Sequence, residues 1–129
     1  MKKKIYYHDT DCGGVVYYGN YLKFLEEARS EYLEDKGFSV KDLMGRGVMF
    51  VVRRQEIDYK FPAVYGDTLD IRTWVVESSP VRIRFAYEIK NQDGRLLSKA
   101  VTDMVCVGAD LGVREMPPEL LAALKSSGS

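Results

Sequence analysis

Two periodicities divide this chain. From Val81 to Lys90 the residues alternate: Val81, Ile83, Phe85, Tyr87 and Ile89 fall on one face, and Arg82, Arg84, Glu88 and Lys90 on the other. That period of two predicts a strand with one buried face. Similar runs predict strands over Val48–Tyr59, Thr68–Glu77 and Leu96–Val107, and a short first strand over Lys4–Tyr7. In the Thr68–Glu77 strand, Leu69, Ile71 and Val75 share one face, while Trp74 and Val76 share the other. Asn91-Gln92-Asp93-Gly94 predicts a hairpin turn between the last two strands. The other period is helical. Leu22, Leu25, Ala28, Tyr32 and Leu33 recur at helix spacing and predict one long helix over Tyr21–Lys36, with Asn20 as N-cap and Gly37 just past its end. A short helix over Ser39–Met44, ended by Gly45 and Gly47, follows it. Pro117-Pro118 opens a C-terminal helix over Glu119–Leu124, and Ser126–Ser129 reads as a frayed tail.

The element order is strand, long helix, then four strands joined mainly by short turns. Such strands favour an antiparallel sheet, and one helix packed on it is an α+β architecture. Apolar residues on both faces of the sheet predict contact with a second copy of the chain.

Composition narrows the picture. The 129 residues predict one domain, 1–129, with 46% hydrophobic and 29% charged residues. Nineteen basic and nineteen acidic residues give a formal net charge of zero, which argues against a general nucleic-acid binder. No apolar run reaches the ~20 residues that a membrane span needs, and Lys2-Lys3-Lys4 is not followed by a signal-peptide apolar region. A cytoplasmic setting is expected. Cys12 and Cys106 form no CxxC pair, so neither a redox motif nor a Cys-rich metal site is indicated. A single His, His8, offers no Ser-His-Asp arrangement.

Candidate chemistry concentrates in Asp9-Thr10-Asp11-Cys12-Gly13-Gly14-Val15-Val16-Tyr17-Tyr18-Gly19-Asn20, just before the long helix. Carboxylates and glycines stand there beside a helix start, whose free N–H groups favour an anion or a developing oxyanion. A carboxylate so placed can act on an ester-like carbonyl by attacking carbon or activating water, while the amides stabilise charge on oxygen. The same residues also suit a capped turn with Gly-Gly serving backbone geometry.

This segment, continued through Tyr21-Leu22-Lys23-Phe24-Leu25-Glu26, resembles the signature of hotdog-fold acyl-CoA thioesterases of the 4-hydroxybenzoyl-CoA thioesterase type, including the Tol-Pal-associated branch. The likeness runs on through Gly47–Val52, Ile57-Asp58-Tyr59 and Gly66–Leu69. It implies a long helix wrapped by a curved antiparallel sheet. It also implies a homodimer, or a tetramer of two dimers, with clefts between subunits. The implied activity is hydrolysis of an acyl-CoA thioester to an acid and free coenzyme A. No cofactor is implied, since coenzyme A is part of the substrate, and no metal. Asp11 matches the family's catalytic carboxylate, and Tyr18 the position whose backbone N–H meets the thioester oxygen. Many relatives of the Tol-Pal-associated branch carry His where Tyr18 stands. Gly14, Val16, Asn20, Gly47, Phe50, Val51 and Arg82 are the candidate substrate-binding residues. Gly14 keeps the approach to the amides open, and Asn20 ties the loop to the helix. Phe50 and Val51 line an acyl pocket, and Gly47 either makes room there or forms a turn. Arg82 is a cation available to the coenzyme's phosphates. Two rival readings are a non-catalytic acyl-binding hotdog module and a hotdog hydratase or dehydratase, whose chemistry calls for a cleft His.

Overall fold

The computed structural model describes residues 1–11 and 13–125. The expected tail Ser126–Ser129 and the side chain of Cys12 lie outside the described residues. Five strands form one open antiparallel sheet in the order β1-β3-β4-β5-β2. They are β1 (Lys2–Lys4), β2 (Met49–Tyr59), β3 (Thr68–Ser78), β4 (Arg82–Lys90) and β5 (Leu96–Val107). The long helix α1 (Gly19–Asp35) packs on one face. The short helices α2 (Val40–Gly45) and α3 (Pro118–Lys125) complete the hotdog architecture.

The alternation in β4 is realised as read. Ile83, Phe85, Tyr87 and Ile89 are buried against α1, whereas Arg82 and Arg84 face solvent. On β3, Leu69, Ile71 and Val75 enter the same core, and Val76 stays exposed. Three register shifts interrupt the ladders, between Val52 and Arg54 on β2, between Val75 and Glu77 on β3 and between Ile89 and Lys90 on β4. Such bulges increase local twist and help a sheet curve around a helix.

Three local expectations change. The first strand ends at Lys4 rather than reaching Tyr7, and Tyr7–Asp9 form a 3-10 turn. The buried Asp9 carboxylate accepts the Tyr6 N–H at 3.0 Å and closes that turn, drawing Tyr7 out of the sheet. Helix α1 begins two residues early, so Asn20 lies inside its first turn and Tyr18 is the residue before it. The Asn20 side chain is spent elsewhere, donating to the Asp9 carbonyl at 2.9 Å. The apolar stripe is also rotated. Tyr21, Phe24, Leu25, Ala28 and Leu33 are buried, while Leu22 is half exposed. Arg29 falls on the buried side, among these residues.

The ends of the helices follow glycine logic. Gly37 adopts φ 91°, and Phe38 N–H returns to the Leu33 carbonyl at 2.9 Å. Gly47, at φ 75°, closes α2 in the same way, with Val48 N–H on the Leu43 carbonyl at 2.8 Å. Both are left-handed positions that a side chain would strain. β2 therefore starts immediately after a tight helix-to-strand turn. It lies at one border of the sheet, with only β5 beside it among the described residues.

Candidate active site

The segment from Asp9 to Gly19 is a small hairpin leading into α1. Asp11 N–H donates to the Val15 carbonyl at 3.0 Å, and Gly14 N–H to the Asp11 carbonyl at 3.1 Å. Thr10 and Val16 form an isolated bridge across the hairpin. Gly14 turns at φ 76°, a conformation that only glycine adopts cheaply. At the tip, the Asp11 carboxylate accepts the Gly13 N–H at 2.9 Å and remains exposed to solvent.

The hairpin is tied on two sides. Toward the helix, the Asp9 carbonyl receives both Tyr17 N–H, at 3.2 Å, and the Asn20 amide, at 2.9 Å. Toward the loop before β3, Val16 N–H meets the Ala63 carbonyl at 2.9 Å, and Tyr65 N–H the Gly14 carbonyl at 3.0 Å. That loop is itself braced. The buried Asp67 carboxylate accepts Val64 N–H and the Gln92 amide, each at 3.0 Å. The Tyr21 hydroxyl accepts Ala63 N–H at 3.2 Å. Burial is the main cause that pushes the Tyr21 phenol above its ordinary range. The same is true of Tyr59, whose ring meets Tyr21 edge-on at 5.2 Å between centroids.

Tyr18 stands at the junction with α1. Its ring is largely exposed and lies against Tyr17. Asn20 N–H bonds the Tyr17 carbonyl and Tyr21 N–H the Tyr18 carbonyl, whereas the Tyr18 N–H has no acceptor among the described residues. That leaves a free donor at a helix start, where the helix dipole favours negative charge. Gly19 permits the arrangement, because a Cβ there would lie 2.6 Å from the Tyr17 ring. Beside this junction is a groove of about 240 Å³, lined by Val16, Tyr18, Tyr21, Tyr59, Phe61 and Pro62.

Asp11, Gly14, Val16, Tyr18 and Asn20 are thus brought together. Gly47, Phe50 and Val51 are not beside them in the same chain. Tyr59 packs near the start of α1, whereas Phe50 and Val51 lie at the opposite end of the same strand. A strand of that length spans roughly 30 Å. Phe50 and Val51 border a separate cavity of about 390 Å³ between α1, α2 and β2. Gly47 is occupied with its turn, and its carbonyl accepts Arg114 at 3.0 Å. Arg82 lies in a third place, a polar hollow shared with Arg53, Arg84, Glu77 and Asp103. There Arg84 is committed to Asp103 at 2.6 Å, and its guanidinium holds the Asp103 carboxyl below the usual range. His8 is exposed, stacks on Tyr6 and approaches the Asp9 carboxylate at 3.5 Å. Cys106 is buried in the core, and burial raises its thiol pKa. Among the described residues, no group of three His, Cys, Asp or Glu could hold a metal.

Sequence reading missed the bracing by Tyr21 and Asp67, since neither side chain stands out in any spacing. Arg29 left a signal. It follows Leu25 and precedes Leu33 by four residues each, placing a charge on the buried helix face.

The fold, with a loop carboxylate and a helix start side by side, is that of a hotdog thioesterase. The family model for the thioesterase-like superfamily matches residues 6–124, and this chain belongs to that superfamily. Over 123 residues it is 37% identical to an acyl-CoA thioester hydrolase, YbgC, of Escherichia coli, covering 95% of this chain and 92% of the relative. Among solved structures it resembles a DHNA-CoA thioesterase from Staphylococcus aureus, with TM-score 0.86, 31% identity, and coverage of 89% of this chain and 78% of that one. A 1,4-dihydroxy-2-naphthoyl-CoA thioesterase from Synechocystis superposes with TM-score 0.89 at 26% identity, covering 98% of this chain and 94% of that one.

Proposed function

We propose that the Asp11 hairpin and the start of α1 are the centre at which this protein hydrolyses an acyl-CoA thioester to a carboxylic acid and free coenzyme A. The observation that carries the reading is the pairing of an exposed Asp11 carboxylate with an uncommitted Tyr18 N–H on one braced hairpin. The thioester carbonyl oxygen accepts the Tyr18 N–H, which stabilises the charge that develops there. Asp11 acts by one of two routes. As a base, it takes a proton from water whose oxygen attacks the carbonyl carbon; the C–S bond breaks and the thiolate leaves with that proton. As a nucleophile, it attacks the carbonyl carbon and breaks the C–S bond, giving an anhydride and the thiolate; water then opens the anhydride to two carboxylates and gives the thiolate a proton. Both routes consume one water. When water opens the anhydride at the Asp11 carbonyl, the first acid released carries protein oxygen, which solvent-oxygen labelling in a single turnover detects; the base route always gives solvent oxygen.

The working unit in this reading is a homodimer built on β2. Its outer border is free of partner strands among the described residues, and Val51 and Val52 are exposed along it. Antiparallel pairing of two β2 strands about a two-fold axis sets the Phe50–Val51 end of one copy beside the Tyr59 end of the other. Asp11 and Tyr18 of one chain then face the apolar cavity of its partner. The outer sheet face around Trp74 and Val76 offers a place to join two dimers. Arg82 and Arg53, both exposed, suit the coenzyme's phosphates. The domain 1–129 carries all of this. A cytoplasmic setting belongs to the same reading; among the described residues, no helix is long and apolar enough to cross a membrane. An exposed His8 paired with Asp9 does not supply the cleft imidazole that a hydratase calls for.

The test is free-thiol release from a panel of aromatic, short-chain and long-chain acyl-CoA and acyl-carrier thioesters. Turnover of at least one acyl-CoA is expected. Binding without turnover across the panel would favour the non-catalytic module.

A further inference from the structure

The cavity at the far end of β2 has an unusual wall. Its lining is apolar over Leu43, Met44, Phe50 and Val51, yet Arg29 and Ser30 of α1 also border it. Arg29 is only 9% exposed. A guanidinium has five N–H donors, and a single hydrogen bond is seen here, to the Tyr87 hydroxyl at 3.2 Å. No carboxylate among the described residues lies within ion-pair distance. Glu26, one turn earlier, borders the same cavity but is exposed and stays outside that distance. A buried cation without an anionic partner is costly. The Tyr87 hydroxyl offers partial relief, and a chain of hydrogen bonds holds it in place. Tyr87 donates to Thr102 at 3.0 Å, Thr102 to the Gln55 carbonyl oxygen at 2.6 Å, and the Gln55 amide to the Val101 carbonyl at 2.9 Å. The chain fixes the tyrosine as an acceptor toward Arg29. It leaves the other guanidinium donors without a described partner.

We infer that Arg29 makes this cavity selective for an acyl group whose far end bears an oxygen acceptor, a carboxylate or a phenolic hydroxyl, over the same group ending in methyl. The inference rests on the hydrolase reading and on the paired β2 strands, which place the cavity opposite the partner's Asp11. The cavity volume, about 390 Å³, falls within the range of small-molecule sites. Its apolar lining takes the body of the acyl group, and the guanidinium meets the oxygen. A substrate ending in methyl leaves those donors unpaired, so discrimination comes from the penalty on the wrong group as well as from attraction to the right one.

The experiment uses two isosteric pairs on the intact protein: adipoyl-CoA against 6-methylheptanoyl-CoA, and 4-hydroxybenzoyl-CoA against 4-methylbenzoyl-CoA. The expected wild-type result is a preference in kcat/KM of about tenfold or more for the oxygen-bearing member of one pair. The pair that shows it tells carboxylate from phenol. Arg29→Met is expected to erase that ratio by lowering the oxygen-bearing member alone, and Arg29→Lys to restore part of it. An equal loss on both members would make Arg29 merely structural and overturn the inference. Should the variants fail to fold, a wild-type ratio near one in both pairs overturns it equally. Turnover of the methyl-ended thioesters with no preference leaves the hydrolase reading standing; silence on every acyl-CoA, including those of the broader panel, removes both.

Discussion

Asn20 shows how one side chain can tie a loop to the start of a helix. Its amide joins the first turn of α1 to the Asp9 carbonyl, which also receives Tyr17 N–H. Together these bonds fix where Tyr18 N–H stands relative to Asp11. Asn20→Ala is expected to cost about 1 kcal/mol of stability, the usual worth of one such bond. It should also lower kcat more than it raises KM, because misplaced donors weaken the transition state first. Urea unfolding and steady-state kinetics on one preparation check both. The tie between loop and helix is what the family resemblance implies for Asn20, and the structure shows that bond. Its use as an N-cap does not occur, because Tyr18 already has helical dihedrals and the helix starts above it.

At the scale of elements, periodicity carries most of the information. β4 was legible because it pairs on both sides and alternates cleanly, whereas β5 has the expected bounds but alternates less cleanly, with apolar groups on both faces. The ends of α1 and β1 were less so, because single hydrogen bonds decide them. The Asp9 carboxylate on Tyr6 N–H converts the end of the first strand into a turn. The buried face of α1 was the harder case. Tyr21, Phe24, Leu25, Ala28 and Leu33 compete with Leu22 for the inward direction, and only packing against the sheet selects between them. Phe24→Ala, at a fully buried site, should cost ~3–5 kcal/mol. Leu22→Ala, at a half-exposed one, should cost about 0.5 kcal/mol or less. Thermal or denaturant melts of the two variants give the comparison directly, and similar losses would contradict the assigned rotation of α1.

At the scale of the whole molecule, the chain divides all its candidate residues except Arg82 between two ends of β2. Asp11, Gly14, Val16, Tyr18 and Asn20 are contiguous in sequence, so their grouping was legible from the motif. The separation of Phe50 and Val51 from them was not, since spacing along a chain does not say which end of a strand faces a given loop. The bracing by Tyr21 and Asp67 was equally hidden, because each acts on a loop distant in sequence. In the dimer proposed above, a division of this kind makes a second copy of the chain part of the chemistry. Asp11→Asn removes the carboxylate, and Val51→Arg fills the mouth of the opposite cavity at an exposed position. The most direct measurement is free-thiol release by the two variants alone and after mixing and subunit exchange, with assembly followed by sedimentation. Each variant alone is expected to lose at least about a hundredfold in rate. The equal mixture should recover about a quarter of wild-type activity, since half of the dimers are hybrid and each hybrid keeps one intact cleft. Near-wild-type hydrolysis by Asp11→Asn, or a mixture as inactive as its components once hybrids have formed, would contradict catalysis by Asp11 across a cleft shared between two chains.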